Sequence, residues 1–152
     1  MAGVKVTITD REFVRKIRAL REGVRGPSAL MKNWGEIAGT SILENFEVSG
    51  RPTKWKPLSK ITIKLKGHAR PLIGRTGNLM RITIKPEQSR VVIGTNPATK
   101  DYAARQQFGW PGGGGRYGGK VKTPARPFIL LQPEDKIEMG EVARRFFVRL
   151  GT

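Results

Sequence analysis

The chain has no cysteine, one histidine and few acids. Each scarcity removes a class of chemistry. Without cysteine there are no disulfides, no thiolate zinc sites and no thiol nucleophile. The one histidine, His68, lies in a Lys/Gly-rich stretch without a partner set for a metal site or a triad, and reads as a solvent-exposed loop residue. Glu134, Asp135, Glu138 and Glu141 fall along one expected helix. No two acids bracket a turn as a hydrolytic pair would, and no nucleophile–base pair is present. Long apolar runs are also missing. The longest is Phe128–Leu131, against the ~20 residues of a membrane span. The N-terminus lacks the apolar stretch of a signal peptide. The expectation is a soluble protein made in the cytosol, with no enzymatic activity, no cofactor, no bound metal and no membrane.

Positive charge is what the chain has in excess. Against 12 Asp and Glu stand 29 Lys and Arg, a net charge of +17. Such a surface attracts nucleic acid, acidic protein surfaces or anionic membranes, with a strong dependence on salt. Ten cations lie between Arg51 and Lys85 with no acid among them. Lys54, Lys56, Lys60, Lys64, Lys66 and Arg70 are candidate contacts to a partner or to DNA, as are Arg116 and Lys120 further on. Trp55 stands between two of these lysines. It can stack on a base or hold a cation over its face. It can also fold back and fill the gap between helices and sheet. The second reading is favoured, because a connector this polar has little other apolar surface to bury.

At 152 residues the chain is expected to form one domain. Four regions follow each other: helical from 9 to 48, a basic connector from 50 to 78, a strand-rich region from 79 to 132, and a C-terminal helix from 133 to 150. Residues 4–8 alternate like a short strand, and Thr9-x-x-Glu12 fits a capping box. Phe13, Ile17, Leu20 and Val24 make one apolar stripe, which Gly23, Gly26 and Pro27 should end. In the next helix Leu30, Trp34, Ile37, Ser41 and Asn45 form one row. Met31, Ala38, Ile42 and Phe46 form the adjacent one. Gly35-x-x-x-Gly39 on that helix predicts close packing against a neighbouring element. Residues 59–66 carry a helix cap at Ser59 but a strand-like alternation at Ile61, Ile63 and Leu65, and both readings stay open. LMRITIK and RVVIGT read as a β-hairpin, and Asp101–Phe108 as a short helix or turn. Val121–Thr123 and Phe128–Leu131 look like two further strands.

The stretch Trp110–Lys120 includes a flexible Gly loop, 111–120. It is either an arm that orders on a partner or a tolerated hairpin tip. Its spacing imitates a P-loop at Gly114-x-x-x-x-Gly119-Lys120. Val121 then stands where a Mg²⁺-binding hydroxyl is needed. The order helices, strands, helix gives an α+β plan: an antiparallel sheet with helices packed on it.

Six blocks, in order, resemble the phage virion morphogenesis proteins, the tail-completion family of Mu-like and P2-like contractile-tailed phages. They are GRPTKWKPLS (50–59), the segment from Thr62 to Lys66, LIGRTGNLMRITI (72–84), VVIGT (91–95), DYAARQQFGW (101–110) and TPARPFILL (123–131). The residues that carry the resemblance include Trp55, Pro57, Leu58, Thr76, Gly77 and Leu79. Later in the chain they are Tyr102, Gln107, Phe108, Gly109, Arg126, Pro127 and Phe128. Relatives commonly have His where this chain has Gln106, so any role for an imidazole there is absent. The resemblance implies a small antiparallel β-sandwich or partly open barrel flanked by N-terminal helices and a C-terminal helix. It implies a minor structural protein of the virion at the head–tail junction, acting in tail completion and head–tail joining. Its partners would be other neck, connector and tail-terminator proteins, copies of itself around the portal–tail axis, and packaged DNA contacted without sequence specificity. The alternative is a stand-alone, non-sequence-specific nucleic-acid-binding module that uses the basic 51–85 stretch.

Overall fold

A computed structural model describes residues 11–26, 28–74, 76–112 and 122–151. The expected strand at 4–8, the Thr9 cap, Arg116, Lys120 and most of the Gly loop lie outside them. The described chain is mixed α and β. Its elements are α1 (Arg11–Arg25), α2 (Ser28–Glu47), α3 (Lys60–Lys66), β1 (Ile82–Pro86), β2 (Val91–Thr95), α4 (Lys100–Phe108) and α5 (Pro133–Gly151). Single 3₁₀ turns at Asn78–Met80 and Pro97–Thr99 precede β1 and α4.

Helix α2 is the central element, packed against α5 on one side and the hairpin on the other. Leu30, Met31, Ala38, Ile42 and Phe46 are buried along it, as the apolar rows require. Trp34 is half-buried and donates its indole N–H to the Met139 carbonyl of α5 at 2.9 Å. Strands β1 and β2 pair antiparallel with Ile84 opposite Ile93. Ile82 and Ile84 turn inward while Thr83 and Lys85 face solvent. The two small residues of α2 let the hairpin approach closely. A β-carbon on Gly39 would lie 2.6 Å from Ile84 Cδ1, and one on Gly35 2.9 Å from Ile84 Cγ2. Gly39→Val is therefore expected to cost about 1–3 kcal/mol by overpacking this contact, measured as a lower urea midpoint at unchanged m-value.

The core joins residues far apart in sequence: Ile42 and Phe46 of α2, Trp55, Leu79, Ala103 of α4, and Phe128. Phe46 lies at its centre, edge-on to Trp55 at 5.8 Å and tilted against Phe128 at 5.3 Å between ring centroids.

Three outcomes stand out: one open reading closes and two expectations change. Residues 60–66 form a helix. Ser59 Oγ accepts from the Thr62 N–H, and Gly67 closes the other end in a left-handed conformation. The alternation of Ile61 and Leu65 reports no buried strand face, since both side chains point to solvent. Gly23 does not end α1. It lies inside the helix, where the α1–α5 approach brings Leu150 against it.

The third concerns the sheet. Among the described residues it has two strands, with one isolated bridge between Trp110 and Thr123. A sandwich or barrel is not formed by these elements, and Phe128–Leu131 is not a strand but bends at Ile129. The reason is visible in its hydrogen bonds. Asn45 Nδ2 donates to the carbonyls of Phe128 and Leu130 at 3.1 and 2.9 Å. Gln107 Oε1 accepts the N–H groups of Phe128 and Ile129, and its Nε2 donates to the Ile129 carbonyl. Two side-chain amides take the place of neighbouring strands, so the backbone is satisfied without a ladder.

Candidate functional site

A cleft of about 730 Å³ lies between the connector, α3, the 3₁₀ turn before β1, α4 and the segment 122–126. Lys56, Pro57, Leu58 and Ser59 form one side. Thr62 and Lys66 of α3 continue it, as do Thr76, Asn78 and Leu79. Tyr102 and Gln106 of α4, with Lys122 and Arg126, complete it.

Local chemistry explains how these residues come together. The Ser59 cap turns the chain into α3, so that half-buried Lys66 faces the cleft while Lys60 and Lys64 face solvent. Gly77 adopts a left-handed conformation ahead of the 3₁₀ turn that buries Leu79. Gly109 ends α4, and Trp110 then pairs with Thr123, which returns residues 122–126 alongside that helix. The Arg126 N–H donates to the Gln106 carbonyl at 2.7 Å.

Arg126 is 6% exposed. Its Nε donates to the Lys56 carbonyl at 3.1 Å and its Nη1 to Gln106 Oε1 at 3.3 Å. These bonds tie the connector and α4 to the Pro-Ala-Arg-Pro corner. Burial holds the Arg126 guanidinium below its ordinary value. Lys66 is also lowered, first by burial and then by the charge of Arg126. Folded Lys66 binds its proton less tightly than the unfolded chain does. Its charged form therefore opposes folding, and that cost is relieved as pH rises through the lowered value towards 10.5.

The cleft thus gathers Pro57, Leu58, Thr76, Leu79, Tyr102 and Arg126 with two of the candidate cations, Lys56 and Lys66. The other signature residues serve the interior or the surface. Trp55 and Phe128 are in the core. Pro127 offers its carbonyl to the Trp55 indole N–H at 3.1 Å, and Gln107 holds the 128–129 backbone. Phe108 projects into solvent, 78% exposed. Lys54, Lys60, Lys64 and Arg70 are exposed outside the cleft. Arg116 and Lys120 are not among the described residues.

Sequence reasoning missed a second polar centre. Asn45, Ser41, Gln132 and Asp135 are buried together. Asp135 accepts from Ser41 Oγ and from the Gln132 N–H, the latter capping α5. Arg51 donates to Asn45 Oδ1 and to both oxygens of Ser41. The signal was available: Ser41 and Asn45 fall on the buried row of α2, where a polar residue needs a partner. His68 is half-buried with its Nδ1 shielded, not the surface residue expected.

No helix among the described residues is long and apolar enough to cross a membrane. The family model for the phage virion morphogenesis family matches residues 8–147. The Mu-like prophage FluMu G protein 2 of Haemophilus influenzae is 31% identical over 137 residues, which cover 90% of each chain. No solved structure matches. The match runs through α1, the connector, the cleft and most of α5, and on that ground the chain belongs to the phage virion morphogenesis family.

Proposed function

We propose that this protein is a structural component of a tailed phage or prophage particle at the head–tail junction, where it completes the tail and joins it to the filled head. It does so by contact and not by catalysis, next to neck, connector and tail-terminator proteins and to copies of itself around the portal–tail axis. The observation that carries this reading is the family match over residues 8–147. A net charge of +17 fits a position beside packaged DNA. The exposed Lys54, Lys60, Lys64 and Arg70 would contact phosphates there without reading sequence.

The test is to disrupt the gene and to quantify its product in particles. Quantitative mass spectrometry of purified virions is expected to find the protein in a small fixed copy number. Disruption is expected to leave filled heads and tails unjoined. Intact particles that contain none of it would overturn the proposal. A stand-alone nucleic-acid-binding role predicts instead that the free protein holds duplex DNA at physiological salt beyond what a generic polycation does. Burial of Trp55 removes the stacking residue which that role would use.

A further inference from the structure

Among the described residues, the lining of the cleft carries cations and no acid. Arg51, a partly buried arginine elsewhere in the chain, meets Glu44, and the exposed Arg90 meets Glu87. Arg126 is more buried than either, yet its side-chain bonds go to a carbonyl and an amide oxygen, both neutral. Lys66 stands at the rim, partly buried, with its Nζ bonded to the Arg70 carbonyl in an exposed position. Charge taken out of water is costly unless an opposite charge meets it.

We infer that this cleft receives the carboxylates of an extended acidic segment from a different protein, with Arg126 and Lys66 as its charged contacts. The planar guanidinium suits a carboxylate and the lysine adds a point charge. The size of the cleft fits a few residues of chain, since about 730 Å³ lies within the range of small-ligand pockets. Its apolar lining, Leu58, Leu72, Leu79 and Pro124, matches the side chains and backbone of a peptide. Duplex DNA is too wide to bring a phosphate to a cation as buried as Arg126. A second copy of this chain does not present such a segment in its last helix, where Glu134, Asp135, Glu138 and Glu141 are held on α5 and are not extended. The inference goes beyond the proposed place in the virion and does not depend on it, because peptide binding and presence in particles are measured separately.

The test uses a dye-labelled peptide of alternating glutamate and alanine, with binding followed by anisotropy at physiological salt. A labelled oligothymidylate of equal charge and unlabelled inorganic phosphate serve as the phosphate arms. Lys66→Gln is expected to weaken peptide binding about tenfold, as loss of a partly desolvated charge contact does. Its melting temperature should be no lower than that of the parent, since it eases the repulsion between Lys66 and Arg126. Lys32→Gln, the same charge change on an exposed position of α2, should change binding less than about twofold, in line with an exposed charge. Equal losses in the two variants would reduce the effect to a generic polycation and overturn the inference. A Lys66-specific loss for oligothymidylate, or displacement of the peptide by phosphate, would overturn it in favour of a phosphate site. A measurement on the unaltered protein is independent of any folding defect. Amide resonances of Thr62, Asn78 and Gln106 should move on adding the peptide, and unmoved resonances would refute the assignment.

Discussion

Trp55→Ala is expected to lower the unfolding free energy by about 3–5 kcal/mol, the cost of truncating a large buried aromatic. Three contacts are lost together. Trp55 is 6% exposed and sits edge-on to Phe46. Its indole N–H holds the Pro127 carbonyl. Beneath it the chain has been narrowed to glycine. Gly50 has φ +108°, and a β-carbon there would lie 2.7 Å from Trp55 Cδ1. Trp55→Phe separates packing from hydrogen bonding. It keeps an aromatic ring but leaves Pro127 without its donor, so a smaller loss of about 1–3 kcal/mol is expected. Equilibrium urea unfolding followed by far-UV circular dichroism measures both. Unchanged stability in Trp55→Ala, with failed particle assembly, would move the residue's main role to an interface.

Asn45→Ala is expected to be comparably severe although it removes only about three heavy atoms, Cγ, Oδ1 and Nδ2, and no aromatic ring. Asn45 is fully buried. Its amide holds the carbonyls of Phe128 and Leu130, and its oxygen receives Arg51 Nε at 3.0 Å. Each buried group left without a partner costs about 1–3 kcal/mol, and with several affected at once the expected loss is about 3–5 kcal/mol. Asn45→Asp keeps an oxygen toward Arg51 but turns another at the two carbonyls. It is expected to rescue nothing. Hydrogen exchange at Phe128 and Ile129 should quicken in both variants, because their Gln107 bonds depend on the segment staying in place. Exchange that stayed slow would show that Asn45 is not what holds the segment.

Much of the fold could be read from local pattern. The buried rows of α2, the alternation of the hairpin and the acids at the start of α5 each carry a period or a cap. Gly35 and Gly39 announced the close approach that Ile84 makes. What could not be read is where a side chain from one element replaces the backbone of another. Phe128–Leu131 has the composition of a strand, and nothing within it reveals that Asn45 and Gln107 meet its polar groups. Ile61 and Leu65 misled in the other direction, apolar residues turned outward on a short helix. The cleft was legible in part. The signature blocks pointed to Pro57, Leu58, Thr76, Leu79, Tyr102 and Arg126, but not to their common wall. Among these lysines, the helical phase that follows the Ser59 cap turns Lys66 in while Lys60 and Lys64 turn out.

The bonds that close the core also set a timetable for synthesis. Asn45 reaches Phe128 across 83 positions, Ser41 reaches Asp135 across 94, and Trp55 reaches Pro127 across 72. Contacts this distant require large loops to close before they yield any stability. A nascent chain therefore carries α2 and Trp55 out of the ribosome well before Phe128 exists to cover them. Until the last quarter emerges, Phe46 and its neighbours are exposed on an unfinished and strongly cationic polypeptide. Like charges keep such chains apart, so the excess of lysine and arginine also guards the chain while it is being made.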